Sequence, residues 1–440
     1  MKTLGGFIEE GAFQAYAYAY PHKTAYRPLD PAIPLEELWS QEDKSALFLY
    51  VHLPFCEMRC GFCNLFAMTN PGDGLVSRYL DSVERQSEAV ARALGGNARF
   101  ARLALGGGTP TFLGPAELDR LFQILAKDFN GVSTRIPKAI EASPATVDEE
   151  KLALLTARGV TRVSVGVQSF IDCEVQSIGR PQRKEEVRRA LDLVAGVKFP
   201  CMNIDLIYGA PSQTVSSWRF SVEQALEWSP QEMYLYPLYV RPLTGLDHIG
   251  RAPADNRLAL YRQGRDLLLG RGYRQISMRL FRAPGYEPPD GPVYCCQEDG
   301  MIGLGAGARS YASSVHYSTE YAVGFSGVRG IIENFSGRRS DQFALADYGC
   351  ELDGEEQKRR YIIKSILRVD GLNLGAYLER FGTDPFVDLP ELSSIEEGEL
   401  GCRSGEYLRL NARGLELSDA IGPWLFSSAM RERMEDFALS

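Results

Sequence analysis

The chain has 440 residues, of which 45% are apolar and 24% charged, so it can bury a sizeable core without disulfides. Its net charge is −9 and it has no dense Lys/Arg run, which argues against a nucleic-acid partner. It has no apolar stretch of membrane-spanning length and no secretory signal, so we expect a cytoplasmic protein without a membrane partner.

Six short apolar segments, most of them followed by an amphipathic segment, predict parallel β/α units in the first half of the chain. The predicted strands are residues 46–53, 103–105, 139–142, 162–167, 202–207 and 233–238. The predicted helices are residues 74–94, 115–129, 148–158, 184–195 and 216–228. This pattern gives either an open doubly wound sheet or a partial barrel, and in both the ligands bind at the carboxyl ends of the strands.

The flanking regions differ in composition from this α/β region. Residues 1–45 are rich in aromatic side chains and predict an extension packed on the main body. Residues 46–345 would form the main domain with extra strands, and residues 346–440 a small mixed C-terminal domain. Within the latter, residues 355–368 predict a helix and residues 409–415 a strand with a turn.

Three of the nine cysteines, Cys56, Cys60 and Cys63, directly follow the first predicted strand. An odd number of cysteines in a cytosolic chain does not fit a disulfide framework. Structural zinc usually takes two pairs of ligands, but there is no second CxxC pair, and His52 is expected only to border the site. Three inert core thiols are a simpler alternative. A [4Fe–4S] cluster fits better, because three thiolates leave one iron open for chemistry.

The Cys-x3-Cys-x2-Cys pattern after a first strand resembles the signature of radical S-adenosylmethionine (SAM) enzymes. In that superfamily the open iron binds SAM, and one electron cleaves SAM to methionine and a 5′-deoxyadenosyl radical. The resemblance implies a partial (β/α)6 TIM-like barrel, with Cys56, Cys60 and Cys63 as catalytic metal ligands. Such a reductive centre needs a low-potential electron donor such as flavodoxin.

Further motifs follow the later predicted strands, and each could alone be a structural turn or hydrogen-bonding group. The glycine run before Thr109 allows close backbone approach to a ligand, and Arg180 has forked donors suited to a carboxylate. In similar proteins the residue matching Glu141 lies near SAM and the substrate, which also gives Glu141 a catalytic role. Gln168 and Asp205 could bind the ribose hydroxyls. Five such elements at five strand ends indicate one site.

The combination resembles the oxygen-independent coproporphyrinogen III oxidase (HemN)-like family through residues 50–56, 106–110, 166–170, 203–211 and 302–308. In that family the last of these regions borders the substrate and a second SAM. The resemblance implies that the following residues bind the cofactor: Tyr50, Phe62, Gly107, Gly108, Thr109, Glu141, Gln168, Arg180, Asp205, Gly305 and Ala306.

Three departures from the family concern the substrate. Leu65 stands where true coproporphyrinogen oxidases carry a fourth cysteine, Gln182 stands where a His is common, and residues 293–298 lack the His-Asn motif of haem chaperones. We therefore expect an enzyme that modifies an organic small molecule, by methyl or methylene transfer or cyclopropanation with a second SAM. Porphyrinogen decarboxylation and haem delivery are the alternatives. Cys295 and Cys296 could face the second SAM or be ordinary core or surface thiols.

Overall fold

The computed structural model describes residues 2–17, 19–129, 132, 136–288 and 300–438. The strands are β1 Arg27–Pro34, β2 Leu47–Leu53, β3 Phe55–Cys56, β4 Met68–Thr69, β5 Phe100–Gly107, β6 Lys138–Ala142, β7 Arg162–Gln168, β8 Cys201–Tyr208, β9 Glu232–Pro237, β10 Arg274–Gln275, β11 Leu280–Arg282, β12 Met301–Leu304, β13 Arg309–Tyr311, β14 Val315–Ser318, β15 Leu345–Glu351, β16 Leu372–Asn373, β17 Gly401–Ser404 and β18 Tyr407–Leu410.

Helices flank these strands along the whole chain. They are α1 Leu4–Glu9, α2 Leu35–Ser40, α3 Leu75–Leu94, α4 Pro115–Asp128, α5 Glu149–Ala157, α6 Asp172–Ser177, α7 Lys184–Val197, α8 Val215–Leu226, α9 Gly245–His248, α10 Arg257–Gly270, α11 Phe325–Gly337, α12 Gly354–Ile366, α13 Leu374–Phe381, α14 Pro385–Asp388, α15 Ser393–Glu397, α16 Ala412–Glu416, α17 Ser418–Trp424 and α18 Ser428–Glu435. Among these helices of the described residues, none combines the length and apolarity needed to cross a bilayer.

The main sheet has the strand order β1-β15-β14-β13-β12-β2-β5-β6-β7-β8-β9-β11-β10. Strands β2 and β5 to β9 run parallel and confirm all six predicted strands, although β5 is longer than expected. The five predicted helices of this region are α3, α4, α5, α7 and α8, whereas α6 was not predicted. β2 pairs on its outer side with β12 and β9 pairs with β11, so β2 and β9 do not pair with each other and the edge strands of the sheet are β1 and β10.

Side chains along the parallel strands alternate between two environments. Val163 and Val165 are fully buried against the helices, while Gly166 and Gln168 on the same strand are half-buried. Each fully buried aliphatic side chain stabilises the fold by roughly 1.5–3 kcal/mol. The half-buried positions face the concave side of the curved sheet. We call this space the lumen and define it by Tyr50, Glu141, Asp205, Tyr234 and Tyr236, which lie on β2, β6, β8 and β9.

A second apolar cluster lies in the C-terminal region and includes the start of the chain. Leu4, Phe7 and Tyr20 pack there with Trp424 and other residues of α12 to α18. Strand β1 also pairs antiparallel with β15. The predicted helix over 355–368 corresponds to α12, and residues 409–415 form the end of β18 and most of α16. The N-terminal region thus packs with the C-terminal region, and the division of the chain into an extension and two domains at residues 45 and 345 stays a prediction.

Candidate active site

The three cysteines of the sequence motif lie on one loop after β2. This loop begins and ends in the short parallel pair of β3 and β4, where Phe55 lies opposite Met68. The N–H of Cys63 donates to the carbonyl of Cys60 at 3.1 Å, which closes a turn between the last two thiols. Cys60 is buried, and Cys56 and Cys63 are half-buried. The loop therefore presents its thiols at the carboxyl end of the first parallel strand.

Neighbouring strand ends hold this cysteine loop in place. The Ser143 hydroxyl, after β6, donates to the Glu57 carboxylate, and the N–H of Thr109, after β5, donates to the carbonyl of Phe55 at 2.8 Å. The N–H of Gly61 donates to the carbonyl of Gly179 at 3.1 Å, between α6 and α7. The thiol positions are therefore set by three βα connections, as expected for a site at the carboxyl edge of a parallel sheet.

Gly61, the residue after Cys60, has a packing role in the cysteine loop. It is not among the glycines with positive φ. A Cβ at Gly61 would lie 2.9 Å from the carbonyl oxygen of Ile178, and a Cβ at Gly179 or at Gly245 would lie 2.8 or 3.1 Å from the Gly61 Cα. Three glycines thus bring the cysteine loop, the α6–α7 connection and α9 into backbone contact.

The thiols share a buried and partly cationic environment. Burial raises the pKa of Cys56 to about 12, and burial together with the charge of Cys60 raises the pKa of Cys63. Arg59 and Arg180 act in the opposite direction on Cys63. Arg180 donates from Nη1 to Cys60 Sγ at 3.1 Å. Three neighbouring thiols beside a fixed guanidinium fit an anionic thiolate-ligated cluster, because metal binding requires the deprotonated thiol.

The glycine run after β5 lies directly against the cysteine loop. Gly107 has φ +121°, and a Cβ there would lie 2.9 Å from Leu53 backbone atoms. A Cβ at Gly108 would lie 2.6 Å from the carbonyl oxygen of Phe55 and 2.9 Å from Cys56 Sγ. The Thr109 hydroxyl is 3.4 Å from Cys56 Sγ. Only glycine fits at these two positions. The backbone therefore makes a close approach, as the sequence predicted, but it approaches the cysteine loop.

Glu141 is the acidic side chain next to this glycine run. It is accessible from the lumen, yet protein surrounds it closely enough that burial raises its pKa to about 7, with a further contribution from Asp205. The N–H of Gly107 donates to Glu141 Oε2 at 3.2 Å. A Cβ at Gly106 would be 3.0 Å from the Tyr50 hydroxyl and 3.1 Å from Glu141 Oε2. Tyr50 and Glu141 therefore flank one point of the lumen.

Asp205 lies deeper on β8 and is held by two donors. Ser164 Oγ donates to it at 3.1 Å and Asn203 Nδ2 at 2.7 Å, while burial raises its pKa. The ring of Tyr234, opposite Asp205 on β9, stacks on Tyr236 with centroids 5.6 Å apart. The lumen thus combines two carboxyl groups with flat aromatic surface.

Arg180 is fixed on every side by hydrogen bonds. Besides Cys60, it donates from Nη2 to the carbonyl of Gly166 at 2.8 Å and from Nε to Gln182 Oε1 at 2.6 Å. Gln182 stands where the family commonly has His, and here it orients Arg180. Gln168, with φ +68°, lies beside Gly166. The structure brings Gln168 and Arg180 together. Arg180 donates to a thiol, whereas the sequence analysis expected Arg180 to bind the carboxylate of SAM.

The remaining predicted residues lie in different surroundings. Phe62 packs with Tyr236 in a small apolar cluster beside the cysteine loop. His52 contacts the carbonyl of Phe66 at 2.8 Å through Nε2 and borders the site as expected. Ala306 is fully buried, and a Cβ at Gly305 would meet the Tyr79 hydroxyl at 2.4 Å, so both pack in the core. Cys295 and Cys296 lie outside the described residues.

The sequence reasoning missed a group of residues around the open side of the lumen. Arg279 lies 3.7 Å from the ring centroid of Tyr16 and is paired with Asp419, and the Tyr239 hydroxyl also donates to Asp419. Arg279 and Asp419 are distant in sequence, so no local motif marks them. The aromatic composition of residues 1–45 was the available signal for Tyr16.

The chain is similar in sequence to known proteins over much of its length. Residues 50–224 match the radical SAM superfamily. The chain is 27% identical over 432 residues to the oxygen-independent coproporphyrinogen III oxidase of Pseudomonas aeruginosa, covering 93% of this chain and 89% of that protein. It is 31% identical over 274 residues to the heme chaperone HemW of Escherichia coli, covering 60% of this chain and 69% of HemW.

A solved structure shares the fold over nearly the whole chain. Coproporphyrinogen III oxidase (HemN) from Escherichia coli, described as a radical SAM enzyme, matches with a TM-score of 0.76 and 23% identity, covering 93% of this chain and 96% of that chain. This match confirms the expected fold class. Fold and thiol loop together define a radical SAM protein. More narrowly, the chain belongs to the HemN-like family within that superfamily.

Proposed function

We propose that this radical SAM enzyme acts on a tetrapyrrole bound in the lumen. The observation that carries the proposal is the joining of the three-thiol loop to a lumen lined by Glu141, Asp205 and stacked tyrosines. Cys56, Cys60 and Cys63 would hold a [4Fe–4S] cluster, which would supply the one-electron chemistry by which radical SAM enzymes start to remove hydrogen from a substrate. A low-potential donor such as flavodoxin would provide the electron.

The residues of this chain would then bind and orient the reactants. Cys56, Cys60 and Cys63 would hold the cluster, and Arg180 would offset its negative charge through Cys60. Glu141 and Asp205 would accept hydrogen bonds from SAM, because both face the lumen and are held by donors. The aromatic side chains of the lumen would also limit the access of water to a reactive intermediate.

Support for a tetrapyrrole comes from the relatives and from the shape of the lumen. The relatives are named for coproporphyrinogen oxidation or for heme. The Tyr234–Tyr236 pair, with rings inclined by only 14°, offers a flat surface of the kind on which a conjugated ring packs.

The expected methyl or methylene transfer from a second SAM remains a competing proposal. The relatives are named oxidases and chaperones, and this favours decarboxylation or haem delivery. One observation favours a different reaction: Leu65 replaces the fourth cysteine of true oxidases and is 48% exposed. Methyl-deuterated SAM decides this point, because deuterium in 5′-deoxyadenosine identifies a second SAM as hydrogen donor, and its absence eliminates methylene transfer.

The proposed function is tested by replacing the thiols and following SAM and substrate together. Anaerobically reconstituted protein is incubated with a reductant, SAM and either haem or coproporphyrinogen. We expect 5′-deoxyadenosine and a tetrapyrrole product of altered mass, and neither from Cys60→Ala. Cys402→Ala, which removes an exposed thiol on β17, is the matched control and should behave like wild type.

Two results would contradict the proposal. Deoxyadenosine formation by Cys60→Ala would mean that this thiol is not a cluster ligand. Stoichiometric haem binding by the wild type, with no SAM cleavage and no change in the haem, would identify a chaperone rather than an enzyme.

A further inference from the structure

Four basic side chains lie near one another on the rim of the lumen, because the charges of three of them act on the fourth. We call them the rim cluster and define it as His22, Lys23, Arg241 and Arg309. His22 and Lys23 belong to the N-terminal extension, Arg241 follows β9, and Arg309 begins β13. Residues far apart in sequence thus bring positive charge to one place.

Lys23 lies close to the cysteine loop, since Cys63 acts on its pKa. Its Nζ lies 3.5 Å from the centroid of the Tyr321 ring, and the Tyr321 hydroxyl donates to the carbonyl of Asn64 at 3.2 Å. Asn64 directly follows Cys63, so a single aromatic ring separates the ammonium group from the loop. Lys23 is half-buried, and within the described part of the chain it forms no ion pair.

Arg241, in the connection between β9 and α9, has a similar environment. Its guanidinium lies 4.3 Å from the Tyr239 ring centroid and donates to the carbonyl of Gln14 at 3.2 Å. No carboxylate of the described residues forms an ion pair with it. Both cations therefore rest on aromatic rings and neutral carbonyls, which leave donors available to an anion.

The positive charges of the rim cluster repel one another, so the cluster is electrostatically unfavourable without a bound anion. Burial lowers the pKa of His22 well below its usual value, and the charges of Lys23, Arg309 and Arg241 lower it further. Burial and the charge of Arg309 likewise lower the pKa of Lys23. Like charges in a partly desolvated space destabilise one another, and an added anion relieves both costs.

The interior of the lumen has the opposite character. Glu141 and Asp205 lie inside, and Asp205 contributes to the raised pKa of Glu141, so the two groups repel each other. The Arg162 guanidinium lowers the pKa of both carboxyl groups and offsets part of this repulsion. A ligand with carboxylates at one end and an uncharged ring at the other would therefore enter with its carboxylates at the rim.

We propose that Lys23 and Arg241 bind a carboxylate of the ligand that occupies the lumen. Identifying that ligand as a tetrapyrrole rests on the proposed function, whereas the carboxylate site itself does not. The carboxylate has two possible sources, an acidic side chain of the tetrapyrrole or the amino-acid end of a SAM molecule. In either case the rim cluster fixes which part of the ligand points to the cysteine loop.

The test compares a carboxylate ligand with its ester under anaerobic conditions. Wild type and Lys23→Met are titrated with haem and with haem dimethyl ester, following the Soret band. We expect wild type to bind haem about tenfold or more tightly than the ester, as for a hydrogen bond to a charged group. Lys23→Met and Arg241→Met should lose this preference, and Lys23→Arg should retain it. Lys184→Met is the matched control, because Lys184 also lies over an aromatic ring, Phe220.

Equilibrium dialysis with SAM separates the two sources. Weaker SAM binding by Lys23→Met, with haem and ester unchanged, would support the site and assign the carboxylate to SAM. If the wild type binds neither haem nor its ester, the tetrapyrrole proposal fails, yet a loss of SAM affinity in Lys23→Met still supports the carboxylate site. Wild-type affinities of both Met variants for all three ligands would overturn it.

Discussion

Glu141 shows at the scale of one residue how the lumen perturbs a side chain. Its carboxyl group accepts a hydrogen bond from the Gly107 N–H, which stabilises the charged form. Burial and the nearby charge of Asp205 outweigh this bond and raise the pKa from 4.5 to about 7. Near neutral pH the group is therefore divided between its acid and its carboxylate, and it can donate as well as accept a hydrogen bond.

This shift predicts how Glu141 affects the stability of the protein without cluster. Because the pKa is higher in the folded than in the unfolded chain, the folded state binds more protons between pH 4.5 and about 7. The contribution of Glu141 is therefore fully present below pH 4.5 and is lost as the pH rises through about 7. Glu141→Gln should flatten this part of the profile, measured by urea unfolding across that range. An unchanged slope would show that Glu141 titrates normally.

The cysteine loop is the element on which the site depends, and it is positioned by backbone contact more than by side chains. Gly61 approaches Gly179 and Gly245 where no Cβ fits. The same contact brings Arg180, next to Gly179, onto Cys60. The geometry of the thiols is thus coupled to the connection between α6 and α7.

A methyl group added to this contact should disturb the loop without touching a thiol. In Gly61→Ala the new Cβ would lie 2.9 Å from the Ile178 carbonyl oxygen, and such overpacking costs about 1–3 kcal/mol. We expect a lower unfolding free energy and less iron bound after reconstitution, measured by chemical denaturation and iron analysis. Gly196→Ala in α7, where a Cβ meets nothing within 4 Å, is the control and should be neutral or stabilising. Equal iron content in both variants would contradict the role of the glycine contact.

The elements also show why part of the site could be predicted and part could not. Buried parallel strands are continuous apolar runs, so β2 and β5 to β9 could be recognised from the sequence. Three closely spaced cysteines directly after a strand also identify the position of the site. The support of Arg180 by Gln182 and the packing of Gly61 were hidden, because their partners are set by the folded arrangement of loops. Lys23 and Arg241 carry no local motif, and both come near His22 only when the fold brings the residues after β9 close to the N-terminal extension.

At the scale of the whole molecule, two apolar cores share the N-terminal extension. Tyr20 is 1% exposed within the C-terminal core, and the backbone N–H of Ser427 donates to its hydroxyl at 3.2 Å. A few residues earlier, Gln14 and Ala15 donate to the carbonyl of Asp419, and Tyr16 covers Arg279 at the lumen. The extension thus links the C-terminal core to the rim of the site.

Truncation of Tyr20 should loosen this link. Tyr20→Ala leaves a cavity in the C-terminal core and should cost about 3–5 kcal/mol of unfolding free energy. Phe325→Ala is the control, because Phe325 is 47% exposed at the start of α11 and should change stability little. Limited proteolysis should cut Tyr20→Ala earlier within its first 26 residues than wild type. Cleavage at equal rates in both proteins would show that the extension is held by other contacts.

The pairing of Gln14 and Ala15 with Asp419 has a consequence for how the protein matures. A nascent chain leaving the ribosome exposes Cys56, Cys60 and Cys63 early, whereas the contact of the N-terminal extension with Asp419 needs a residue near position 420. During translation the three thiols would therefore be less enclosed than in the folded protein. If they hold the proposed cluster, the order of synthesis favours its insertion before the contact at Asp419 forms.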